Sequence, residues 1–250
     1  MAGTSPIAAL PYPTLTDVSN AQTAFQNLTT ALDQLIIPRY GSAATRDATI
    51  ASPTDGQHAY RTDIHAPEYY HGGAAGYTHG YCLISETTLS GSLSSITFTI
   101  PQDFRDLRIT TSLRDTTTAN SYYNWSLRIN GDAAANYATN ALFNNNFAAS
   151  FSTFSSAGTT APGAGFLAAG STAGANVWGN GVMEIPFYSK AGAEKNGSFS
   201  CSVWNGSTIG AAQTGCWTWA GGAAISSITI FPSGGTALAV GSTIRIYGMG

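Results

Sequence analysis

Four histidines, the only ones in the chain, lie within a segment of 22 residues. They are His58, His65, His71 and His79. On a three-fold axis, one imidazole per subunit would be enough to bind a transition metal. Their spacing matches no zinc motif, however, and no cysteine lies among them. We therefore predict no cofactor and ordinary turn or hydrogen-bonding roles for these histidines, with a metal site on a trimer axis as the alternative.

No sequence motif with a catalytic mechanism is found. The chain has no Gly-x-Ser-x-Gly elbow, no His-Glu-x-x-His and no phosphate loop. A glycosidase would need two carboxylates roughly 5 to 9.5 Å apart, and nothing in the pattern singles out such a pair. The carboxylates of the C-terminal part are Glu86, Asp103, Asp106, Asp115, Asp132, Glu184 and Glu194. We predict that the protein is not an enzyme, with a glycan depolymerase as an alternative.

Aromatic rings among neutral polar side chains favour the binding of a sugar. Flat amphipathic rings stack on sugars, and Asn and Ser side chains form hydrogen bonds without charge. The residues predicted to contact a glycan are Tyr122, Tyr123, Trp125, Trp178 and Trp204. For each ring taken alone, the alternative is a place in the core or in a subunit interface, where large aromatic side chains usually lie.

Charge is scarce in this chain. Only 9% of the residues are charged, and the net charge is −3, whereas an ordinary soluble domain has roughly 25% charged residues. A protein that binds nucleic acid would be expected to show a basic patch, and the sequence has none. No apolar stretch reaches the roughly 18 residues of a membrane span, and the N-terminus does not resemble a signal peptide. We expect no nucleic-acid partner, no membrane insertion, and assembly in a cytosol.

The chain has three cysteines, Cys82, Cys201 and Cys216. An odd number in a chain without a leader favours reduced, buried thiols. The alternative is a disulfide between Cys201 and Cys216, which flank a predicted hairpin.

The first 37 residues are predicted to form an anchoring arm and a coiled-coil helix. Residues 1–15 are apolar and rich in proline, which favours an extended arm that binds another protein through Ile7, Leu10, Tyr12 and Leu15. In residues 16–37 apolar residues recur at spacings of 3, 4, 3, 4 and 3, which is an a/d heptad stripe. They are Val18, Ala21, Phe25, Leu28, Leu32 and Leu35. The alternative is a single amphipathic helix docked on its own domain.

The rest of the chain is predicted to be mainly β. Residues 38–80 read as a small β neck with a Pro-Thr-Asp-Gly turn at 53–56. Residues 81–250 contain some eight or nine short segments with period-two alternation, such as Ile96, Phe98 and Ile100, which favours an antiparallel, jelly-roll-like β-sandwich. Residues 132–180, rich in Ala, Asn, Gly and Ser, are predicted to be a long loop that contacts a neighbouring subunit or partner.

Four short motifs in the N-terminal part resemble a known family. Residues 38–47 read Pro-Arg-Tyr-Gly-Ser-Ala-Ala-Thr-Arg-Asp, and they are followed by Pro-x-x-Gly at 53–56, Tyr-Arg-Thr-Asp at 60–63 and Tyr-x-Gly at 70–72. Together with the preceding helix, these motifs resemble the start of minor tail and tail-fibre proteins of tailed bacteriophages, especially those that infect actinobacteria. The runs Leu83–Leu89, Ile96–Pro101 and Gly241–Gly248 resemble a β-sandwich of phage virion proteins. The resemblance implies a trimeric virion component, assembled in the cytoplasm of a bacterial host.

Three functions stay open at this point. In the preferred one, a homotrimer at the tail tip or in a tail fibre is anchored to other virion proteins by its arm and presents the sandwich to a host-surface glycan. In the second, the trimer is a head fibre or capsid decoration protein that stabilises the head or aids weak adhesion. In the third, it is a glycan depolymerase.

Overall fold

The computed structural model describes residues 3–4, 11–12, 37–53, 57–63, 66–71, 76–79, 81–118, 122–145, 152–163, 165–204, 210–233 and 236–250. The chain divides into two compact units. The first contains residues 1–63 and 67–77, and the second contains residues 64–66 and 78–250.

The predicted arm and coiled-coil helix lie almost entirely outside the described residues. In this part the structure describes two short strands, β1 (Gly3–Thr4) and β2 (Pro11–Tyr12), which pair antiparallel. The six residues of the predicted helical stripe lie outside the description, as do the anchor residues Ile7, Leu10 and Leu15 and the side chain of Tyr12. The coiled coil and the anchoring role therefore stay predictions.

A small sheet with one short helix follows. In chain order its elements are β3 (Arg39–Tyr40), α1 (Ala43–Thr49), β4 (His58–Arg61), β5 (Ala66–His71) and β6 (Gly76–His79). The strand order is β3-β4-β5-β6, with β3 parallel to β4. Ser42 caps α1, because its hydroxyl accepts a hydrogen bond from the Thr45 amide at 3.1 Å and so satisfies a donor that the helix itself leaves unpaired.

Glu68 lies at the centre of a buried ion network in this first unit. Its carboxylate is fully buried, accepts a hydrogen bond from Nη1 of Arg46, and lies 3.4 Å from Nη1 of Arg61. Asp47 pairs with Arg46 at 2.7 Å, and Asp63 pairs with Arg61 at 2.6 Å. Each arginine thus binds the central carboxylate and an outer one. The network therefore ties α1 to β4 and β5 through charge-assisted hydrogen bonds.

The described part of the second unit consists mainly of two antiparallel sheets. The strands of the larger sheet are β7 (Cys82–Thr88), β9 (Asp106–Leu113), β11 (Tyr137–Asn145), β12 (Ser152–Thr159), β14 (Gly179–Ile185), β15 (Lys195–Trp204), β16 (Gly210–Trp219) and β18 (Thr243–Met249). Their order across the sheet is β12-β11-β16-β15-β14-β9-β18-β7.

The smaller sheet has four strands. They are β8 (Ile96–Thr99), β10 (Tyr122–Ile129), β13 (Phe166–Ala169) and β17 (Ser227–Pro232). Their order is β13-β10-β17-β8, and a 3-10 helix at Ser171–Ala173 follows β13. The chain is thus mainly β, and its two antiparallel sheets are consistent with the predicted β-sandwich.

The hydrophobic core lies between the two sheets. Along β10, the alternate residues Tyr123, Trp125, Leu127 and Ile129 are buried, and along β15 buried and exposed positions alternate strictly. This is the period of two that a strand shows when one face is in the core and the other is in water.

The larger sheet bends round one edge of the smaller one. On one face of the β10–β13 pair, Phe166 lies so close to Gly181 of β14 that a Cβ added there would be 3.1 Å from the ring. On the opposite face, Gln213 of β16 donates a hydrogen bond to Asn124 of β10 at 2.8 Å. All four residues of β13 are buried as a result.

Much of the 132–180 segment is strand, so the expectation of a long loop there is wrong. The segment contains β11, β12 and β13 and the start of β14. The nine residues of β11 pair continuously with β16, from Tyr137 opposite Trp219 to Asn145 opposite Ala211. This pairing supplies the backbone hydrogen bonds that outweigh the weak strand propensity of Ala and Asn.

The three cysteines are free thiols. Cys82 and Cys201 are buried, as expected, but Cys216 is exposed. In the β15–β16 ladder Cys201 is opposite Gln213, whereas Cys216 is opposite Ser198, which places the two thiols on opposite faces of the sheet. The alternative of a Cys201–Cys216 disulfide is therefore excluded in this fold. Burial raises the pKa of the Cys201 thiol to about 12, which keeps it protonated and unreactive.

Candidate functional site

Two of the five predicted glycan-contact residues, Tyr123 and Trp125, are core side chains. Tyr123 is 6% exposed, and Trp125 is 0% exposed. The indole Nε1 of Trp125 donates a hydrogen bond to Oδ2 of the buried Asp115 at 2.9 Å. A ligand at the protein surface has no access to either ring, which corrects their assignment to a binding surface.

Tyr122, a third member of the predicted set, is half-buried between the sheets. Its ring is tilted against that of Phe143, with 6.2 Å between the ring centroids. Phe143 itself packs against the hydrophobic core. A tilted aromatic pair of this kind stabilises packing, so Tyr122 joins β10 to β11 at the margin of the core.

The remaining two residues, Trp178 and Trp204, lie at the same end of the larger sheet. The last register pair of β14 and β15 at this end is Asn180 with Ser202. Trp178 lies two residues before Asn180, and Trp204 lies two residues after Ser202. Because side chains two apart in a strand share a face, the register brings both tryptophans to the outer face of neighbouring strands. Trp204 is 63% exposed, and Trp178 is half-buried.

Gly241 makes room for the Trp178 ring. Its φ of +87° is in the left-handed region, and a Cβ added there would be 2.9 Å from Cη2 of Trp178. Glycine is the residue that accepts both this backbone conformation and this close approach. The outer edge of the indole therefore lies against the turn that precedes β18.

Arg114 holds the segment that leads into Trp178. Its guanidinium donates hydrogen bonds to the carbonyl oxygens of Gly174, of Val177 at 3.1 Å and of Ser171 at 3.1 Å. These contacts fix the chain between the 3-10 helix and β14. The position of Trp178 is therefore set before any ligand binds, which lowers the entropy cost of binding.

Neutral polar groups continue the outer face beside the tryptophan pair. One row across the sheet consists of Ser202, Asn180, Ser112 and Thr243 at adjacent register positions. Hydroxyl and amide groups both donate and accept hydrogen bonds. Two indoles beside such a row form a surface that suits an uncharged, hydroxyl-rich ligand. We call Trp178, Trp204 and this row the tryptophan face.

The predicted histidine cluster is only partly described. His58 lies on β4 and is exposed, whereas His65 and the side chains of His71 and His79 fall outside the described residues. In the part of the chain that the structure describes, no three His, Cys, Asp or Glu side chains form a group that could hold a metal ion. The alternative of a metal site on a trimer axis stays untested.

Most carboxylates of the second unit have partners within the fold. Glu86 pairs with Arg245 at 2.7 Å, and Glu184 lies 3.2 Å from Arg108. Asp132 accepts hydrogen bonds from Trp219 at 2.7 Å and from Asn136 at 2.8 Å, and these two donors, the Asn136 amide first, lower the pKa of its carboxyl. Such arrangements are typical of carboxylates that stabilise turns and sheet surfaces.

Sequence reasoning missed the two residues that position Trp178. The left-handed turn at Gly241 had a signal, because Gly-Ser directly before a strand is a common turn pattern. Arg114 had none, since its carbonyl partners are 57 to 63 positions away in the chain.

Neither a scan of protein-family models nor a search of curated proteins finds a match for this chain. Among the described residues, there is no helix with the length and apolar character that crossing a membrane requires.

Proposed function

We propose that the chain is a non-enzymatic structural protein of a bacteriophage virion, a homotrimer that presents its sandwich to glycans of the host surface. The observation that carries the binding role is the tryptophan face, where an exposed indole and a half-buried one lie beside a row of neutral polar groups. Aromatic rings supply large contact area at low entropy cost, and neutral donors and acceptors satisfy sugar hydroxyls.

The strand order supports this proposal at the level of the fold. When β7, β15, β16 and β18 are left aside, the sheets read β8-β17-β10-β13 and β9-β14-β11-β12. This is the order of an eight-stranded jelly roll, an architecture found in viral capsid proteins and in lectins. Because one fold serves many functions, the site itself has to carry the functional conclusion.

The ion network of the first unit also supports the proposal. The phage-like motifs at 38–47 and 60–63 include Arg46, Asp47, Arg61 and Asp63, and all four side chains bind around Glu68 or its arginine partners. The shared motifs thus have a structural role, because they build a buried network rather than a reactive centre. A structural role for these motifs fits the proposal, because the resemblance to phage proteins concerns architecture and not catalysis.

Sedimentation of the full-length protein tests the trimer. We expect a trimer at micromolar concentration, and a monomer for the double variant Leu28→Asp, Leu32→Asp, because charges in an a/d stripe oppose helix association. Near-ultraviolet circular dichroism serves as the control, since the sandwich of the variant should keep its aromatic signals. A wild-type protein that sediments as a monomer would contradict the proposed trimer.

Binding of the full-length protein to an array of bacterial envelope glycans tests the tryptophan face. We expect the double variant Trp178→Ala, Trp204→Ala to bind at least about tenfold more weakly than the wild type, which corresponds to a loss of about 1.4 kcal/mol. Tyr81→Ala is the matched control, because Tyr81 is 65% exposed and Trp204 is 63% exposed. Equal binding by the wild type and the double variant would contradict the assignment of the site.

The capsid decoration role is the second candidate, and the jelly-roll order favours it equally. Electron microscopy of virus particles labelled with an antibody to this chain distinguishes the two locations, tail and head. Label on the tail supports the host-attachment role, whereas label on the head supports decoration.

A further inference from the structure

We infer that the second unit carries another saccharide-binding site, centred on Phe187 and located at the opposite end of the larger sheet from the tryptophan face. β14 runs from Gly179 to Ile185, so that Trp178 precedes this strand and Phe187 follows it. The two sites share no residue. The Phe187 site goes beyond the proposed function and does not depend on a virion role.

Phe187 has a backbone conformation that bulky residues rarely adopt. Its φ is +50°, in the left-handed region that is unfavourable for a side chain with a Cβ. The side chain is nevertheless 57% exposed. The left-handed backbone and the exposure of a large apolar ring are each unfavourable. Backbone strain of this kind concentrates at binding and active sites.

The contacts of its neighbours fix Phe187 in this position. Its amide donates a hydrogen bond to Oδ1 of Asp106 at 2.9 Å. The next residue, Tyr188, is fully buried, and its hydroxyl donates to the Pro101 carbonyl and accepts from the Phe104 amide. Tyr188 points into the core, whereas the ring of Phe187 is exposed. The ring is therefore positioned before a ligand arrives.

A cleft of about 190 Å³ opens beside the ring. Its walls are formed by Pro186, Phe187, Lys190, Ala193, Glu194 and Asn196. Clefts that bind drug-sized ligands have volumes of about 300 to 1,000 Å³, so this smaller cleft fits a single sugar ring. The guanidinium of Arg105 lies over the Phe187 ring, 5.7 Å from its centroid. The ring is 57% exposed, so part of it stays accessible for stacking.

Lys195 fixes the loop that forms the floor of the cleft. Its side chain is buried, and its ammonium donates hydrogen bonds to the carbonyl oxygens of Lys190 and of Ala193, the latter at 2.6 Å. The buried Lys195 ammonium thus links the loop to the start of β15. Lys190 and Glu194 project from a backbone that is already ordered.

The polar groups of the cleft match sugar hydroxyls. Within the described residues, neither the Lys190 ammonium nor the Glu194 carboxylate forms an ion pair or a hydrogen bond. An ammonium donates, a carboxylate accepts, and the amide of Asn196 does both. The two charges balance, which favours a neutral pyranose over an acidic sugar or a phosphate. Both lysines of the chain lie here, Lys190 in the loop and Lys195 at the first position of β15, although charge is scarce elsewhere.

The test is the binding of methyl glycosides of glucose, galactose and N-acetylglucosamine to the full-length protein, followed by NMR. We expect at least one of them to shift the signals of the Phe187 ring and the Asn196 side-chain amide with millimolar affinity. Phe187→Gly removes the ring but keeps the left-handed backbone, and we expect at least a tenfold loss of affinity. Phe187→Tyr should retain binding, and Tyr81→Ala, which removes an exposed ring outside both sites, should leave it unchanged.

Two outcomes would overturn this inference. One is the absence of shifts at Phe187 and Asn196 with all three glycosides up to their solubility limits. The other is unchanged affinity in Phe187→Gly, with a folded spectrum showing that the variant is intact. If the tryptophan variants keep full glycan-array binding while Phe187→Gly loses glycoside binding, the Phe187 site stands and the assignment of the tryptophan face fails.

Discussion

The two units of this chain are stabilised in different ways. Among the described residues of the first unit, four are buried, and three of these are charged: Ala59, Arg46, Arg61 and Glu68. Among the described residues of the second unit, 34 buried residues form one hydrophobic cluster. A small unit cannot remove enough apolar surface from water to be stable by that means alone. In the described part of the first unit, directed ionic contacts join α1, β4 and β5.

This difference predicts different responses to damage. A buried ion network becomes unfavourable when one partner is removed, because the remaining charges keep their desolvation cost. A close-packed apolar core loses stability in proportion to the contacts and volume removed. Three substitutions test the contrast, from the largest expected effect to the smallest.

The largest effect is expected for Trp125→Ala in the core of the second unit. The substitution leaves a cavity that costs about 3 to 5 kcal/mol, and it leaves the buried Asp115 carboxylate without its indole donor, which costs about 1 to 3 kcal/mol more. Urea unfolding measures the change in the free energy of unfolding. Trp204→Ala, at an exposed position, is the control and should change it by less than about 0.5 kcal/mol.

Glu68→Gln should break the first unit while sparing the second. Two buried arginines lose their shared counter-charge, at a cost of about 3 to 5 kcal/mol. Hydrogen exchange checks this, since amides of α1 and β4 should lose protection while those of β9 and β14 keep it. Glu86→Gln, which removes the exposed pair with Arg245, is the matched control and should cost less than about 1 kcal/mol. Equal protection of α1 in both variants would show that the network is not what holds this unit.

The smallest effect is expected for Asp132→Asn, and it depends on pH. Hydrogen bonds from Asn136, Trp219 and the Ala134 amide lower the pKa of Asp132 below its ordinary value of 3.8. A carboxyl with a lowered pKa in the folded state stabilises the protein above its unfolded pKa, and this stability is lost as pH falls through the folded pKa. The variant should therefore show a shallower loss of melting temperature below about pH 4.

Trp219→Phe removes one of the donors to Asp132 and is the companion variant. It should reproduce part of the change in the pH dependence of the melting temperature that Asp132→Asn produces. An identical pH dependence in the wild type and in Asp132→Asn would contradict this role of the carboxylate.

Period-two alternation allowed much of the sandwich to be predicted from sequence. Ile96 and Phe98 lie in β8, and Ile244 and Ile246 are buried in β18, as such patterns indicate. The strand β12 could not be found in this way, because both of its faces are largely exposed and its residues are Ser, Ala, Gly and Thr with one Phe. Its place depends on pairing with β11, which is a long-range property.

The candidate sites also contain some residues whose positions have a local sequence signal and others whose positions depend on long-range pairing. The burial of Trp125 had a local signal, since it shares a face of β10 with Leu127 and Ile129. The placement of Trp178 and Trp204 at the same end of neighbouring strands had no local signal, because only the register of β14 and β15 determines it. Phe187 was missed because its left-handed backbone and the hydrogen bond from its amide to Asp106, a residue far away in the chain, have no local signal.

On the outer face of the larger sheet, β15 and β16 expose hydroxyl, amide, methyl, thiol and indole groups, with no charged side chain among the exposed residues of these two strands. The charges on the neighbouring strands of this side are paired, Glu184 with Arg108 and Glu86 with Arg245, so encounter with a partner through this side should proceed at the unassisted rate of about 10⁵ to 10⁶ M⁻¹s⁻¹. Salt screens interactions between exposed charges, and this side has few unpaired charges to screen. Association through this side should therefore run equally fast in dilute and in saline water.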